Sequence, residues 1–208
     1  MRKRPQKLLA PTVKFMLQLG LFERPVLPGL RLQPEILTPD IERDLFARID
    51  AVELTPFHFQ RWLGKRVTAS FGWRYNFQDS SFEPAEPIPQ WLLQLREAAA
   101  TFAKLPATEL VQALLIRYDP GAGIGWHRDR PVFEHVVGIS LGAPATMRFR
   151  RRRSGGFDRA NVPLPPRSIY HLSREVRHDW EHSIAEMDVT RWSITFRSLS
   201  GEGQTTLR

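Results

Sequence analysis

Arg191-Trp192-Ser193-Ile194-Thr195-Phe196-Arg197 alternates polar and apolar residues without a break. A period of two is the mark of a β-strand that buries one face. On such a strand Arg191, Ser193, Thr195 and Arg197 share one side, and Trp192, Ile194 and Phe196 share the other. The apolar set predicts packing against a second layer. The polar set predicts the wall of a cavity, and two arginines on that wall predict a pocket for an anion.

Several short strand patterns precede this one. Residues 111–118 form a mostly apolar run, and Val136-Val137-Gly138-Ile139-Ser140-Leu141 is β-branched and bounded by glycines and Pro144. Met147-Arg148-Phe149-Arg150 alternates, Ser154-Gly155-Gly156 turns the chain, and residues 167–172 follow Pro165-Pro166. Short strands at turn-punctuated intervals predict a sandwich or jelly roll. Two helices come first. Thr38 caps one, with Pro39 in its first turn and Ile41, Leu45, Ile49 and Val52 at helical spacing. The other follows Pro87, with Ile88, Trp91, Leu92, Leu95, Ala99 and Phe102 on one stripe. Both are expected to cover a sheet.

At 208 residues the chain has room for one domain with a sizeable core. An apolar fraction of 42% is that of a globular protein. A net charge of +8 favours polyanionic partners such as nucleic acid. There is no cysteine, so disulfides and thiolate–metal sites are excluded. No apolar run is long enough for a membrane helix, and the start, Met1-Arg2-Lys3-Arg4, makes a poor signal peptide. The expectation is a cytoplasmic monomer with no membrane association: a basic arm over 1–30, then one domain over 31–208.

The chemistry points to His127-Arg128-Asp129. His127 and Asp129 are two apart and follow the loop Gly121-Ala122-Gly123-Ile124-Gly125, while His182 lies far downstream. Two imidazoles and one carboxylate on one face of a metal form the ligand set of non-haem Fe(II) oxygenases. Such an ion keeps three positions open, two for a 2-oxo acid and one for O2. Arg191 has the bidentate fork to neutralise that acid's far carboxylate. His58, His135, His171 and His178 are rival ligands.

With these pieces together the sequence resembles the AlkB family of Fe(II)- and 2-oxoglutarate-dependent dioxygenases. The matching segments are Arg117-Tyr118-Asp119-Pro120-Gly121, His127-Arg128-Asp129, Gly138-Ile139-Ser140-Leu141-Gly142, His182-Ser183-Ile184 and the Arg191–Arg197 strand. Phe71-Gly72-Trp73 resembles the family's substrate-lid strand, and Ile88-Pro89-Gln90 the start of the helix before the core. The resemblance implies an α+β, mainly β fold: a double-stranded β-helix (jelly-roll) core at about 110–200, covering N-terminal helices, and a lid at about 55–82. It implies that His127, Asp129 and His182 bind iron and that Tyr118, Arg191 and Arg197 meet 2-oxoglutarate. It also implies oxidative demethylation of N-alkylated bases in DNA or RNA, as in alkylation-damage repair. Three positions depart from the pattern. Ile116 stands where members often carry Asn, Ser183 replaces a glycine, and Pro131 stands where nucleic-acid members often carry an acidic residue.

For the substrate, Trp73 is the candidate to stack on an extruded base, against a rival reading as core together with Phe71 and Phe77. Arg66 and Arg74 flank the lid and could meet phosphates. Arg148, Arg150, Arg151 and Arg152, with Arg153, form the densest positive patch, read as phosphate contact or as a solvated hairpin end. Trp62, Trp91, Trp126, Trp180 and Trp192 are expected to be packing residues. Two other functions compete: the same iron chemistry on a protein or small molecule, and a non-catalytic nucleic-acid-binding module.

Overall fold

The computed structural model describes residues 27–59, 62–75 and 81–206. The basic arm expected over 1–30 therefore lies outside the described residues up to residue 26, as does Phe77. The strands are β1 (Leu30–Gln33), β2 (Thr55–Phe59), β3 (Trp62–Phe71), β4 (Trp73–Tyr75), β5 (Phe82–Pro84), β6 (Leu110–Tyr118), β7 (Ile124–His127), β8 (Phe133–Gly142), β9 (Ala145–Arg153), β10 (Gly156–Leu164), β11 (Ser168–Leu172), β12 (Glu181–Ile184) and β13 (Arg191–Leu199). The helices are α1 (Pro39–Asp50), α2 (Gln90–Ala103), α3 (Arg174–His178) and α4 (Gly201–Thr206).

Two antiparallel sheets make the core. A seven-stranded sheet runs β1-β11-β8-β13-β6-β3-β2, and a four-stranded sheet runs β10-β9-β12-β7. This is the expected jelly roll. The last strand obeys its alternation. Ile194 and Phe196 are fully buried beneath α1 and α2 with Leu45, Ile49, Leu92 and Ala99. Trp192 stacks on Phe46 of α1 at 4.3 Å between ring centroids. The opposite face turns toward the small sheet. There Val136, Tyr170 and Leu172 pack with Met147, Phe149, Leu164 and Ile184.

Local chemistry sets the helix positions. Thr38 caps α1 by accepting from the Ile41 N–H at 3.3 Å, and α2 begins at Gln90, after Pro89 rather than directly after Pro87, so Ile88 of the expected stripe precedes it. The expected lid segment divides in two. β2 and β3 extend the large sheet, and only β4 and β5 stand apart as a ribbon. Gly72 makes the corner between β3 and β4 at φ +78°, where a Cβ would stand 2.0 Å from the Val111 carbonyl oxygen. Among the described residues no helix is long and apolar enough to cross a membrane.

One buried carboxylate ties α1 to the sheet beneath it. Glu42, 7% exposed, accepts from the Gly142 N–H at 2.9 Å and from Arg167 Nη1 at 2.9 Å. Removing it strands a half-buried amide and a half-buried guanidinium. Glu42→Ala should cost about 3 kcal/mol in urea unfolding and leave metal affinity unchanged. A cost under about 0.5 kcal/mol would show that water takes over both bonds.

Candidate functional site

Between the sheets lies a cavity that opens to solvent. Its apolar walls include Ile116, Ile124, Val136, Met147, Leu172 and Ile184. Its polar lining comprises Tyr118, His127, Asp129, Tyr170, His182, Arg191, Ser193, Thr195 and Arg197. The polar face of β13 is thus a cavity wall, as its alternation predicts.

The two halves of the predicted triad meet through strand pairing. β7 and β12 are neighbours, with His127 opposite His182. Asp129 follows two residues beyond. The ligand atoms of His127, Asp129 and His182 all lie within 4.8 Å of one another. The rival histidines go elsewhere. His135 Nδ1 is 3.0 Å from His171 Nε2, and His178 Nε2 is 3.1 Å from Glu134. The His58 side chain lies outside the described residues.

Hydrogen bonds orient the triad. The Gly125 carbonyl lies 2.9 Å from His127 Nδ1. It accepts only if that nitrogen carries the proton, which leaves Nε2 free with a lone pair. Arg197 grips Asp129 Oδ1 through Nε at 2.9 Å and Nη2 at 2.7 Å. The other oxygen, Oδ2, stands 3.7 Å from His182 Nε2. Arg197 also donates through Nη1 to Gln112 Oε1 at 3.0 Å, and Gln112 Nε2 donates to the Trp73 carbonyl at 2.8 Å. A continuous chain therefore links the β4–β5 ribbon to Asp129. Arg177, 4% exposed, donates to the carbonyls of Arg130 and Phe133 and holds the loop after Asp129. Neither Gln112 nor Arg177 is marked by spacing, because each acts on its neighbours through contacts across the fold.

Charge states follow from burial. Burial alone would raise the Asp129 carboxyl, but Arg197, followed by the two imidazoles, holds it well below the usual carboxylate range. Burial lowers His127, against the pull of Asp129. Burial, then the nearby His127 ring, pushes His182 down to about 3. Two neutral imidazoles and one carboxylate are the forms a divalent cation needs.

Arg191 is fully buried on the facing sheet. Its Nη2 donates to Ser140 Oγ at 3.1 Å, while Nε and Nη1, also buried, have no partner among the described residues. A buried guanidinium with two unused donors is costly on its own and is matched by a carboxylate. Its Cζ lies 5.2 Å from the centroid of the Tyr118 ring.

The profile of the 2OG-Fe(II) oxygenase superfamily matches residues 29–197. The chain belongs to that superfamily.

Within it the chain is AlkB-like. It is 28% identical over 180 residues to the mouse (Mus musculus) tRNA (carboxymethyluridine(34)-5-O)-methyltransferase ALKBH8, covering 82% of this chain and 26% of that protein. It is 32% identical over 129 residues to the alpha-ketoglutarate-dependent dioxygenase AlkB of Escherichia coli, covering 57% of each. The solved structure of OsALKBH1 shares the fold, with a TM-score of 0.63 at 16% identity, covering 82% of this chain and 98% of that one. As a 2OG-Fe(II) oxygenase the protein is an enzyme that uses Fe(II) and 2-oxoglutarate. The residues fit both groups. The N, N, O donor set suits ferrous iron, and the unpartnered nitrogens of Arg191 suit a carboxylate of the diacid.

The predicted substrate residues are scattered. Trp73 is half-buried, with its indole stacked on Phe82 at 5.0 Å. Phe82 meets Phe133 edge-on, and Phe133 lies under the Arg197 guanidinium. Trp73 therefore belongs to a stack that runs to the triad. Arg66 is 7% exposed, close to Tyr118 and Arg197, not at the surface where a phosphate would meet it. Arg74 pairs across the ribbon with Glu83 at 2.7 Å. Arg150 pairs with Glu181, and Arg151 with Glu175 and Asp158. Arg148 donates to Ser183 Oγ, and Arg152 lies over the Phe157 ring. Most of the patch is thus engaged by its own sheet and α3. Trp126, expected as packing, lies beneath the guanidinium groups of Arg148 and Arg150.

Two outcomes follow. Arg197→Gln loosens Asp129 and should weaken Fe(II) binding about 10- to 100-fold, read by metal titration. An unchanged iron affinity would remove Arg197 from that role. The His182 pKa is lowered, so the unfolded chain takes up a proton below about pH 6.5 that the folded chain refuses. The metal-free protein should therefore lose stability as pH falls from about 6.5 toward 3, with His182 adding a slope of up to about 1.4 kcal/mol per pH unit. Urea unfolding at pH 7.5 and 5.0 measures it, and equal stability at both would contradict a neutral, buried His182.

Proposed function

We propose that this AlkB-like oxygenase oxidatively removes N-alkyl groups from nucleobases in DNA or RNA, with His127, Asp129 and His182 holding the iron and Arg191, Tyr118 and Arg197 serving 2-oxoglutarate. The observation that carries the reading is the opposition across one cavity of a three-donor metal cluster and a buried guanidinium with two unused donors.

Bound iron, with 2-oxoglutarate and O2, supplies an oxidant that puts one oxygen atom into a C–H bond while the diacid becomes succinate and CO2. The protein's part is placement. The Gly125 carbonyl and Arg197 fix the donor atoms of His127 and Asp129. Arg191 anchors the diacid from the opposite sheet. The hydrocarbon of Ile116, Val136, Met147 and Leu172 keeps water from the reacting centre. A hydroxylated N-methyl group is a hemiaminal, which breaks its C–N bond and leaves as formaldehyde while nitrogen recovers a proton.

The nucleic-acid part rests on three supports. The net charge is +8. An aromatic stack runs from Trp73 to Phe133 beside Arg197, where an extruded base could meet an indole. A relative in Arabidopsis thaliana is named an alkylated DNA repair protein, 27% identical over 184 residues and covering 76% of this chain and 51% of that one.

Anaerobic addition of Fe(II) and 2-oxoglutarate should produce a charge-transfer absorption band that His127→Ala abolishes. Under air, oligonucleotides carrying N-methylated bases should release formaldehyde in step with succinate. A band and succinate without formaldehyde, across a panel of methylated bases in both nucleic acids, would transfer the chemistry to a protein or small-molecule substrate. No band in the wild-type protein would overturn the assignment of the metal site.

A further inference from the structure

Tyr170 is the central residue of β11, 6% exposed and paired with Gly138 of β8. Its phenol end lies across that glycine. A Cβ at position 138 would stand 2.1 Å from Tyr170 Cζ and 2.3 Å from its hydroxyl oxygen. Real side chains do not approach so closely, so the ring occupies this place only because residue 138 has no side chain. Gly138 has Thr195 of β13 as its partner on the other side. The phenol therefore reaches toward the strand that carries Arg191, Ser193, Thr195 and Arg197.

Tyr170, Tyr118 and Arg191 line one cavity. Arg191 there has two buried nitrogens without a partner. Ile116, on the same lining, contributes only hydrocarbon. Burial, the leading influence on the Tyr170 phenol, pushes its pKa up despite the opposing Arg191 charge, so the group stays protonated and able to donate.

We propose that the Tyr170 hydroxyl is a second phenolic hydrogen-bond donor to the diacid held by Arg191, and that Gly138 is required to admit it. The inference rests on the co-substrate reading above. It makes Tyr170 a binding residue: it contacts the diacid and moves no proton.

The test replaces iron with Mn(II), which blocks turnover, and measures 2-oxoglutarate binding calorimetrically. Tyr170→Phe keeps the ring over Gly138 and removes one donor to a charged acceptor. Affinity should fall about tenfold, with Mn(II) affinity and thermal midpoint unchanged. Gly138→Ala should displace the phenol and weaken binding at least as much. Adding Tyr170→Phe to it should then cost nothing more, because the donor is already lost. Unchanged affinity in Tyr170→Phe, with binding lost in Arg191→Met, overturns the role of Tyr170 and leaves the pocket assignment standing. Unchanged affinity in Arg191→Met overturns the pocket assignment itself. If Gly138→Ala fails to fold, Tyr170→Phe alone decides.

Discussion

A carboxylate enclosed between two imidazoles and a hydrophobic wall is expensive to keep charged. Asp129 stays ionised because Arg197 closes on one of its oxygens with a hydrogen bond from Nε and an ion pair through Nη2. That contact does three things at once. It offsets the desolvation of the carboxylate, it selects which oxygen remains for a metal, and it ties the end of β13 to the loop after β7. Without the guanidinium the carboxyl would tend to take a proton or swing toward water, and the donor set would lose its only anion.

Arg197 is itself held. Gln112 reaches it from β6 and reaches Trp73 of the ribbon with its other end. Phe133 supports its guanidinium from below. The loop that carries Asp129 is fixed from outside by Arg177, and its Pro131 carbonyl accepts from Ser200 Oγ at 2.7 Å. The triad is thus braced by hydrogen bonds, and the wall facing it carries a buried arginine. The ribbon that borders the site is joined to it by the Gln112 amide, the aromatic stack, and the Arg130 guanidinium over the Tyr75 ring.

Much of this was legible in the chain. The alternation from Arg191 to Arg197 told which residues face the cavity, because a strand has only two faces and burial of one decides the other. The Thr38 cap of α1 and the apolar stripes of α1 and α2 marked two helices. The triad was readable because His-x-Asp followed by a distant histidine and two spaced arginines is a rare conjunction. The surface was less readable. Arg66 flanks the lid in sequence yet is buried, and Arg150 and Arg151 belong to a basic run yet meet carboxylates of other elements. A run of like charge says nothing about the acids the fold will bring beside it. Trp126 reads as a packing residue, and what packs on it is two guanidinium groups.

By itself the sequence determined a layered antiparallel β fold, a set of donor types suited to a ferrous ion, and two arginines on one face of a strand, because period and residue chemistry are local properties. Tertiary structure alone decided that His127 lies opposite His182, that Arg197 rather than solvent neutralises Asp129, and that the Tyr170 ring fills the space above Gly138. These depend on strand register and on which buried charges become neighbours, and neither is encoded at any one position of the chain.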